Sequence, residues 1–150
     1  FTLLYVDIAP KQPSTSRAVS RATLRSRLRQ HCAGTAEGST LRLTLGCLLA
    51  DELRLRLAAV GRSGRLTFGV DGEARLSAWM AAHARVSFVI TSEPWEIERQ
   101  LLSSTSLPLN LRDNEHHPFH ATLSELRSIA RQRARVEWQD SAAGRQGTAL

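Results

Sequence analysis

The sequence predicts an α/β protein of the α+β kind, in which a small mixed or antiparallel sheet is flanked by helices. Five segments carry the apolar periodicity of amphipathic helices. Short apolar runs rich in β-branched residues lie between these segments, as expected of strands. The chain has 150 residues, of which 42% are hydrophobic, so it is long enough to bury one core.

The predicted elements follow one another without an internal repeat. In chain order they are a strand over 3–8, helices over 21–31 and 40–49, a hairpin over 53–68, a helix over 72–83, a strand over 86–90, a helix over 94–103, a short extended piece over 108–111 and a helix over 122–135. Residues 3–8 are a short run rich in β-forming residues, ended by Pro10, and residues 86–90 predict a buried strand.

Local signals set the ends of several elements. Ser20 and Ser39 precede two helical segments, and serine is a preferred N-cap. Pro94 stands in the first turn of another helix, where a missing N–H costs nothing. The hairpin rests on the alternation of apolar residues over 53–57 and on the glycines of segment 61–64 that turn the chain.

The charge of the chain is a hint about its partners. The net charge is +6, and Lys11 is the only lysine, so nearly every cation is an arginine. Arginine binds phosphate oxygens in a two-pronged geometry, which favours a polyanionic partner. A genome that prefers arginine codons is an equally good explanation. No apolar run approaches the roughly 18 residues that span a bilayer, and no signal peptide is visible, so we expect a cytoplasmic protein.

Glu98 breaks the pattern of its own helix. When that helix is wound at about 100° per residue, one apolar arc contains Trp95, Ile97, Leu101 and Leu102. Glu98 falls inside this arc, whereas the other charged residues of the segment lie opposite. A carboxylate on an apolar face is unfavourable unless it is paired or metal-bound. Glu98 is therefore a candidate metal ligand or catalytic group, with a buried Glu–Arg pair as the alternative.

Four further polar residues stand out. Arg27 and His31 are four residues apart on the first predicted helix, so they share a face along the margin of its apolar stripe. Arg27 can point into a cleft or extend along the surface. Asn110 follows a proline in a short extended segment, where a turn is the ordinary role of asparagine. Tyr5 is the only tyrosine, and core packing explains it as well as function does.

The order of these residues resembles that of the GIY-YIG nuclease family, over about residues 3–114. Four motifs carry the resemblance: the second tripeptide of the family is similar to residues 5–7, its arginine helix to residues 24–31, its glutamate helix to residues 97–102 and its closing segment to residues 108–110. Residues 114–119 are similar to a stretch found in a subgroup of bacterial members. None of these motifs is specific alone, but all four occur in the family's order.

The resemblance implies an endonuclease that hydrolyses DNA phosphodiester bonds in one step, with Mg²⁺ or Mn²⁺ as cofactor. It implies that Glu98 holds the cation, that Tyr5 positions or deprotonates the attacking water and that Arg27 stabilises the charge of the transition state. His31 would orient the water or the tyrosine, and Asn110 would support the site by hydrogen bonding. Further candidate contacts to the nucleic acid are Arg25, Arg29 and His117.

Two features depart from the family pattern. Asp7 stands where the family has glycine and adds an anion beside the expected cleavage site. The first tripeptide, Gly-Ile-Tyr, is absent, so we expect its strand to lie upstream of Phe1. The expected domain covers residues 1–138, followed by a flexible tail over 139–150. The alternatives to a nuclease are an inactive module that binds nucleic acid and an α/β interaction domain that does not. The sequence indicates no protein partner and no membrane attachment.

Overall fold

A computed structural model describes residues 2–12 and 20–147, except the side chains at 142 and 144–147. Within these residues the elements are α1 (Leu24–Ala33), α2 (Thr40–Leu48), β1 (Ala58–Val60), β2 (Arg65–Thr67), α3 (Gly69–His83), α4 (Pro94–Ser104) and α5 (His120–Gly147). The predicted α+β class, with helices around a small antiparallel sheet, is confirmed. None of the described helices is long and apolar enough to cross a lipid bilayer.

Local signals in the sequence explain where three helices begin. Thr23 caps α1 by accepting the backbone N–H of Ser26, whose hydroxyl accepts the N–H of Thr23 in return. Ser39 caps α2, as predicted, by accepting a backbone N–H of the first turn. Pro94 opens α4, also as predicted. Ser20, the predicted cap of the first helix, lies upstream of the observed start, because the capping box places that start later.

β1 and β2 form an antiparallel hairpin that packs against α5. The register places Ala59 opposite Leu66. In the turn between the strands, Gly61 and Gly64 have φ values of +70° and +64°, a left-handed conformation in which a side chain would clash with the backbone. The turn residues of the predicted hairpin are therefore correct.

The first arm of the hairpin is shifted from its predicted place. Residues 53–57 do not pair, and the strand begins instead at Ala58. Leu55 and Leu57 are nevertheless buried, while the arginines beside them are exposed. The alternation therefore predicted correctly which side chains face the core, although it misplaced the hydrogen-bonded pairs.

The hydrophobic core lies between α2, α3, α5 and the hairpin. Its buried apolar side chains include Leu43, Cys47, Leu55, Leu57, Leu66, Phe68, Leu76, Met80 and Ala134. Gly46 allows α2 to approach closely, because a Cβ there would lie 2.1 Å from an atom of the Phe68 ring. The core thus fixes α2, whose first turn contributes to the site described below.

The sheet is smaller than the sequence predicts. The sequence predicts strands over 3–8 and 86–90, and neither segment is a strand in the structure. Residues 86–90 are exposed rather than buried, with Phe88 and Ile90 exposed by 62% and 87%. No backbone hydrogen bond joins them to another described residue. The strand prediction was wrong because strand formation requires a partner, which local composition does not reveal.

The last helix is longer than the sequence predicts. It was expected over 122–135, with a tail from residue 139, yet α5 continues to Gly147. Contacts with the hairpin explain part of this length: the indole N–H of Trp138 donates to the carbonyl of Gly61 at 2.9 Å. The division into a domain over 1–138 and a tail stays a prediction, and residues 148–150 lie outside the described residues.

Candidate functional site

The carboxylate of Asp7 lies at the centre of the candidate site. The Nε of Arg27 donates to Oδ2 of Asp7 at 2.6 Å, and a terminal nitrogen of the same guanidinium lies 2.5 Å from that oxygen. The Nε2 of His31 lies 2.8 Å from it as well. Arg27 and His31 therefore share one face of α1, as predicted, and both point at Asp7.

His31 is buried, and both of its ring nitrogens are bonded. Its Nδ1 lies 2.7 Å from the hydroxyl of Ser39. The same hydroxyl accepts the backbone N–H of Arg42 at 3.1 Å, so its own proton is available for Nδ1. In the neutral tautomer with the ring proton on Nε2, His31 donates to Asp7 and accepts the hydroxyl proton of Ser39 at Nδ1.

Asp7 is ionised at neutral pH. Its burial raises the pKa of the carboxyl, but the hydrogen bond from His31 and the charge and hydrogen bond of Arg27 outweigh burial. The net result is a pKa below the usual value for aspartate. The residue that departs from the family pattern is thus a fixed anion that binds two candidate catalytic side chains.

The Asp7→Asn substitution is expected to lower the free energy of unfolding by about 1–3 kcal/mol at neutral pH, because hydrogen bonds to a charged group are lost. The folded-state pKa of Asp7 lies below its unfolded value of about 3.9. The contribution of the carboxylate is therefore complete above the unfolded value and disappears as the pH falls through the folded-state value. Urea unfolding of both proteins, from about pH 7 to about pH 2.5, measures the difference. A stability gap that does not narrow in acid would contradict an ionised Asp7.

Tyr5 packs edge-on against His31, with ring centroids 5.7 Å apart and an angle of 79° between the planes. Burial raises the pKa of the Tyr5 phenol, and the negative charges of Asp7 and Glu98 raise it further. The phenol is therefore protonated at neutral pH in the free protein. Its hydroxyl can orient a water molecule, but it is poorly suited to remove a proton as a phenolate.

Asn110 holds the backbone between Tyr5 and Asp7. Its Oδ1 accepts the N–H of Val6 and its Nδ2 donates to the carbonyl of Val6, both at 2.9 Å. The side chain thus pairs with both backbone polar groups of Val6, and the backbone N–H of Leu109 donates to the carbonyl of Leu4 at 3.1 Å. Asn114 in turn donates from Nδ2 to the carbonyl of Asn110 at 3.0 Å. These contacts explain how the loop that contains Asn110 and Asn114 holds the segment from Tyr5 to Asp7 in place.

Glu98 lies half-buried on α4, beside the charge of Asp7. Burial raises the pKa of the Glu98 carboxyl, and the negative charges of Asp7 and Asp113 raise it further. Among the described residues Glu98 has no ion pair, so the alternative of a buried Glu–Arg pair does not apply to it. The predicted arc is confirmed: Leu102 is buried and the remaining apolar members are half-buried.

The Glu98 carboxylate by itself suits only a divalent cation that keeps much of its hydration. Within the described ranges, no group of three or more His, Cys, Asp or Glu side chains is placed to hold a metal ion. Mg²⁺ is commonly bound through one or two carboxylates, with water and substrate phosphate as its other ligands. A half-buried carboxylate without an ion pair, such as that of Glu98, suits this mode of binding.

A buried Glu–Arg pair occurs elsewhere and was not predicted. Glu73 accepts from Arg42 through Oε2, at 2.8 Å from the terminal nitrogen and 3.2 Å from Nε. The other terminal nitrogen of Arg42 donates to the carbonyls of His31 and Cys32, at the end of α1. Arg42 thereby positions His31 through its backbone. An arginine within the apolar stretch of α2 was a visible signal of such a network.

The three candidate contacts to nucleic acid lie in different settings. Arg25 and Arg29 are exposed on α1, and Arg29 lines a groove beside the candidate site. His117 lies in the loop before α5, where its Nε2 is 3.0 Å from the Ser106 hydroxyl and its Nδ1 accepts the N–H of Phe119 at 3.1 Å. Both ring nitrogens of His117 are therefore used within the protein.

Comparison with known proteins gives one family. A family model described as the GIY-YIG catalytic domain matches residues 1–129. The match covers most of the chain, which therefore belongs to this family. Comparisons with curated proteins and with solved structures return no significant match. Membership indicates a nuclease domain whose substrate class is nucleic acid, and GIY-YIG nucleases generally depend on a divalent metal.

Proposed function

We propose that this chain is a Mg²⁺- or Mn²⁺-dependent endonuclease domain that hydrolyses phosphodiester bonds in DNA. The observation that carries the proposal is the convergence of Arg27 and His31 on Asp7, with Tyr5 packed against His31. Glu98, which has no ion pair among the described residues, is close enough for the charge of Asp7 to raise its pKa. These side chains come from segments far apart in the sequence. Their convergence in a member of a nuclease family supports a catalytic role for the group.

Glu98 is the residue that would hold the cation. A bound divalent cation supplies positive charge to a phosphate oxygen, which stabilises the charge that develops in the transition state. Glu98 already lies in a partly apolar surround beside Asp7, which disfavours its negative charge in the free protein. Binding a cation would relieve this unfavourable arrangement.

Arg27 is the residue that would stabilise the transition state. A guanidinium can bind two oxygens of a phosphate at once, whereas the two nitrogens of Arg27 now contact the single oxygen Oδ2 of Asp7. A substrate phosphate at this position would compete with Asp7 for Arg27. The carboxylate holds the guanidinium in a defined place before the substrate arrives, which reduces the reorganisation needed for binding.

Tyr5 would orient the attacking water, and His31 would hold Tyr5 in place. The protonated phenol of Tyr5 can donate a hydrogen bond or accept one, so it can orient a water molecule toward phosphorus. His31 fixes the Tyr5 ring through their edge-on contact and is itself fixed by Ser39 and Asp7. Asn110 keeps the backbone of this segment in place through Val6.

The decisive test is the Glu98→Gln substitution in a supercoiled-plasmid nicking assay with Mg²⁺ or Mn²⁺. We expect weak cation-dependent nicking by the parent protein, because the first tripeptide of the family pattern is absent from residues 1–150. This nicking is expected to be lost in EDTA and in the variant. The melting temperature of the variant in EDTA is expected to equal or exceed that of the parent, because the raised pKa means that folding disfavours the Glu98 anion at neutral pH.

Two results would count against this assignment. A sharp fall in the melting temperature of Glu98→Gln in EDTA would make Glu98 a structural residue. If the folded variant nicks DNA as fast as the parent, Glu98 does not bind the catalytic metal. The substitution keeps the size of the side chain and removes only its charge, so a change in packing would not explain either result.

The second candidate function is an inactive GIY-YIG module that binds nucleic acid. The ion pair between Asp7 and Arg27 favours it, because it occupies the guanidinium that the reaction would use. The Asp7→Gly substitution restores the residue typical of the family and separates the two functions. DNA binding without nicking, in both the parent and the Asp7→Gly variant at every cation concentration, would support the inactive module.

A further inference from the structure

A row of arginines lines a groove along one face of α5. Arg127, Arg131 and Arg135 are spaced four residues apart, so they share a face and succeed one another about every 6 Å along the helix axis. The groove has a volume of about 600 Å³, and its remaining lining residues are Leu111, Ser124, Ser128, Gln132, Val136 and Gln139. Among the described residues no acidic side chain lines it, so the three arginines give the groove a positive charge.

Two of these arginines have a buried Nε atom without a partner. Arg127 is only 8% exposed, and Arg131 is half-buried. Neither Nε atom has a hydrogen-bond partner among the described residues. No carboxylate among the described residues forms an ion pair with either arginine or with Arg135. Arg42, which is buried to a similar degree, is by contrast surrounded by acceptors.

This arrangement is unfavourable in the free protein. Burial lowers the pKa of Arg127, and the neighbouring charge of Arg131 lowers it further. A buried cation normally has an anionic partner and acceptors for its N–H groups, because removing a charge from water is otherwise expensive. An anion bound in the groove would supply both. The missing partner of these arginines is therefore expected to be a ligand.

The position and length of the groove indicate what kind of anion it binds. Its Arg127 end acts on the pKa of Tyr5, and Leu111 at the same groove directly follows Asn110, so the groove adjoins the candidate catalytic site. From Ser124 to Gln139 the helix rises about 22 Å. This length exceeds that of one phosphate group, and it suits an anion with regularly repeated charges.

We propose that the α5 groove binds the sugar–phosphate backbone of the nucleic-acid substrate on one side of the phosphate that is cleaved. The proposal rests on the nuclease function for the identity of the strand, and on the unpartnered arginines for its location. Contacts to the backbone alone position a nucleic acid without reading its bases, so the groove adds affinity and orientation and no sequence specificity.

The experiment compares two double variants that lose the same charge. Arg131→Gln with Arg135→Gln removes the two more accessible arginines of the groove and leaves the buried Arg127 in place. Arg62→Gln with Arg133→Gln is the control, because Arg62 lies in the hairpin turn and Arg133 is exposed on another face of α5. Affinity for a fluorescent DNA duplex is measured by anisotropy in EDTA, over a range of salt concentrations, after melting curves confirm that both variants fold.

The groove variant is expected to bind at least about tenfold more weakly at low salt. The slope of log affinity against log salt is expected to be smaller by about 1.8, or about 0.9 for each lost phosphate contact. The control variant is expected to keep the slope of the parent. Equal losses in both variants would show an effect of net charge alone and would overturn the proposal. Displacement of DNA from the parent by polyglutamate of equal charge, with equal effectiveness, would also overturn it.

A wrong groove proposal and a wrong nuclease proposal would give different experimental results. If the groove variant binds and cleaves DNA as well as the parent, the groove proposal is wrong and the nuclease proposal is unaffected. If binding depends on the groove but neither the parent nor any variant cleaves DNA with a cation, the groove proposal holds and the nuclease proposal is wrong.

Discussion

The Arg42→Ala substitution is expected to lower the free energy of unfolding by about 3–5 kcal/mol. Arg42 is fully buried, and its removal leaves the carboxylate of Glu73 inside the protein without its cation. It also removes donors from the carbonyls of His31 and Cys32, at the end of α1. A buried charge without a partner is among the most destabilising results of a single substitution.

Chemical denaturation in urea measures this loss, with Arg56→Ala as the matched control. Arg56 also pairs with a carboxylate, that of Glu137 at 2.5 Å, but its side chain is 72% exposed. The control is expected to lose no more than about 1 kcal/mol, as exposed ion pairs generally do. Equal losses in the two variants would mean that the Arg42–Glu73 pair does not stabilise the fold as its burial indicates.

The Arg27→Ala substitution is expected to reduce the rate of DNA cleavage on the order of 10²- to 10³-fold. On the proposed mechanism, the guanidinium acts mainly on charge that develops in the transition state, so the loss falls on kcat and not on KM. The fold is expected to persist, because Asp7 retains its hydrogen bond from His31. Single-turnover cleavage at saturating Mn²⁺ separates the chemical step from binding.

Two further variants test the cause of that loss. Arg27→Lys keeps the charge and loses the two-pronged geometry, so its rate is expected to lie between those of the parent and the alanine variant. Arg29→Ala changes an exposed arginine on the same helix and is expected to raise KM with little change in kcat. If kcat falls as far in Arg29→Ala as in Arg27→Ala, Arg27 does not act specifically on the transition state.

The helices could be predicted from the sequence because their signals are local. Apolar periodicity, the cap at Ser39 and the proline at the first position of α4 placed α2 and α4 within one residue of their observed ends. The strands could not be predicted in this way. The segment over 86–90 has the composition of a buried strand, yet hydrogen-bonding partners distant in sequence decide whether a strand forms.

In the candidate site, too, local features could be predicted from the sequence and long-range contacts could not. The position of Glu98 on an apolar arc and the shared face of Arg27 and His31 follow from helix geometry, so the sequence predicted both. The role of Asp7 depends on contacts across 20 and 24 positions, and the sequence marked it only as a departure from the family pattern. The pairing of Arg42 with Glu73 is equally distant, since 31 positions separate the partners. Residue spacing carries no information about such contacts.

The exposed segment over 86–90 has a consequence for how the protein behaves in concentrated solution. It is apolar, has high β-propensity and contains no charged residue, which is the composition of segments that stack into intermolecular β-structure. Its backbone N–H and C=O groups have no hydrogen bonds to other described residues, so they can pair with the same segment of a second molecule. Replacing Val89, which is 72% exposed, by lysine would place a charge in the middle of this segment and oppose such aggregation.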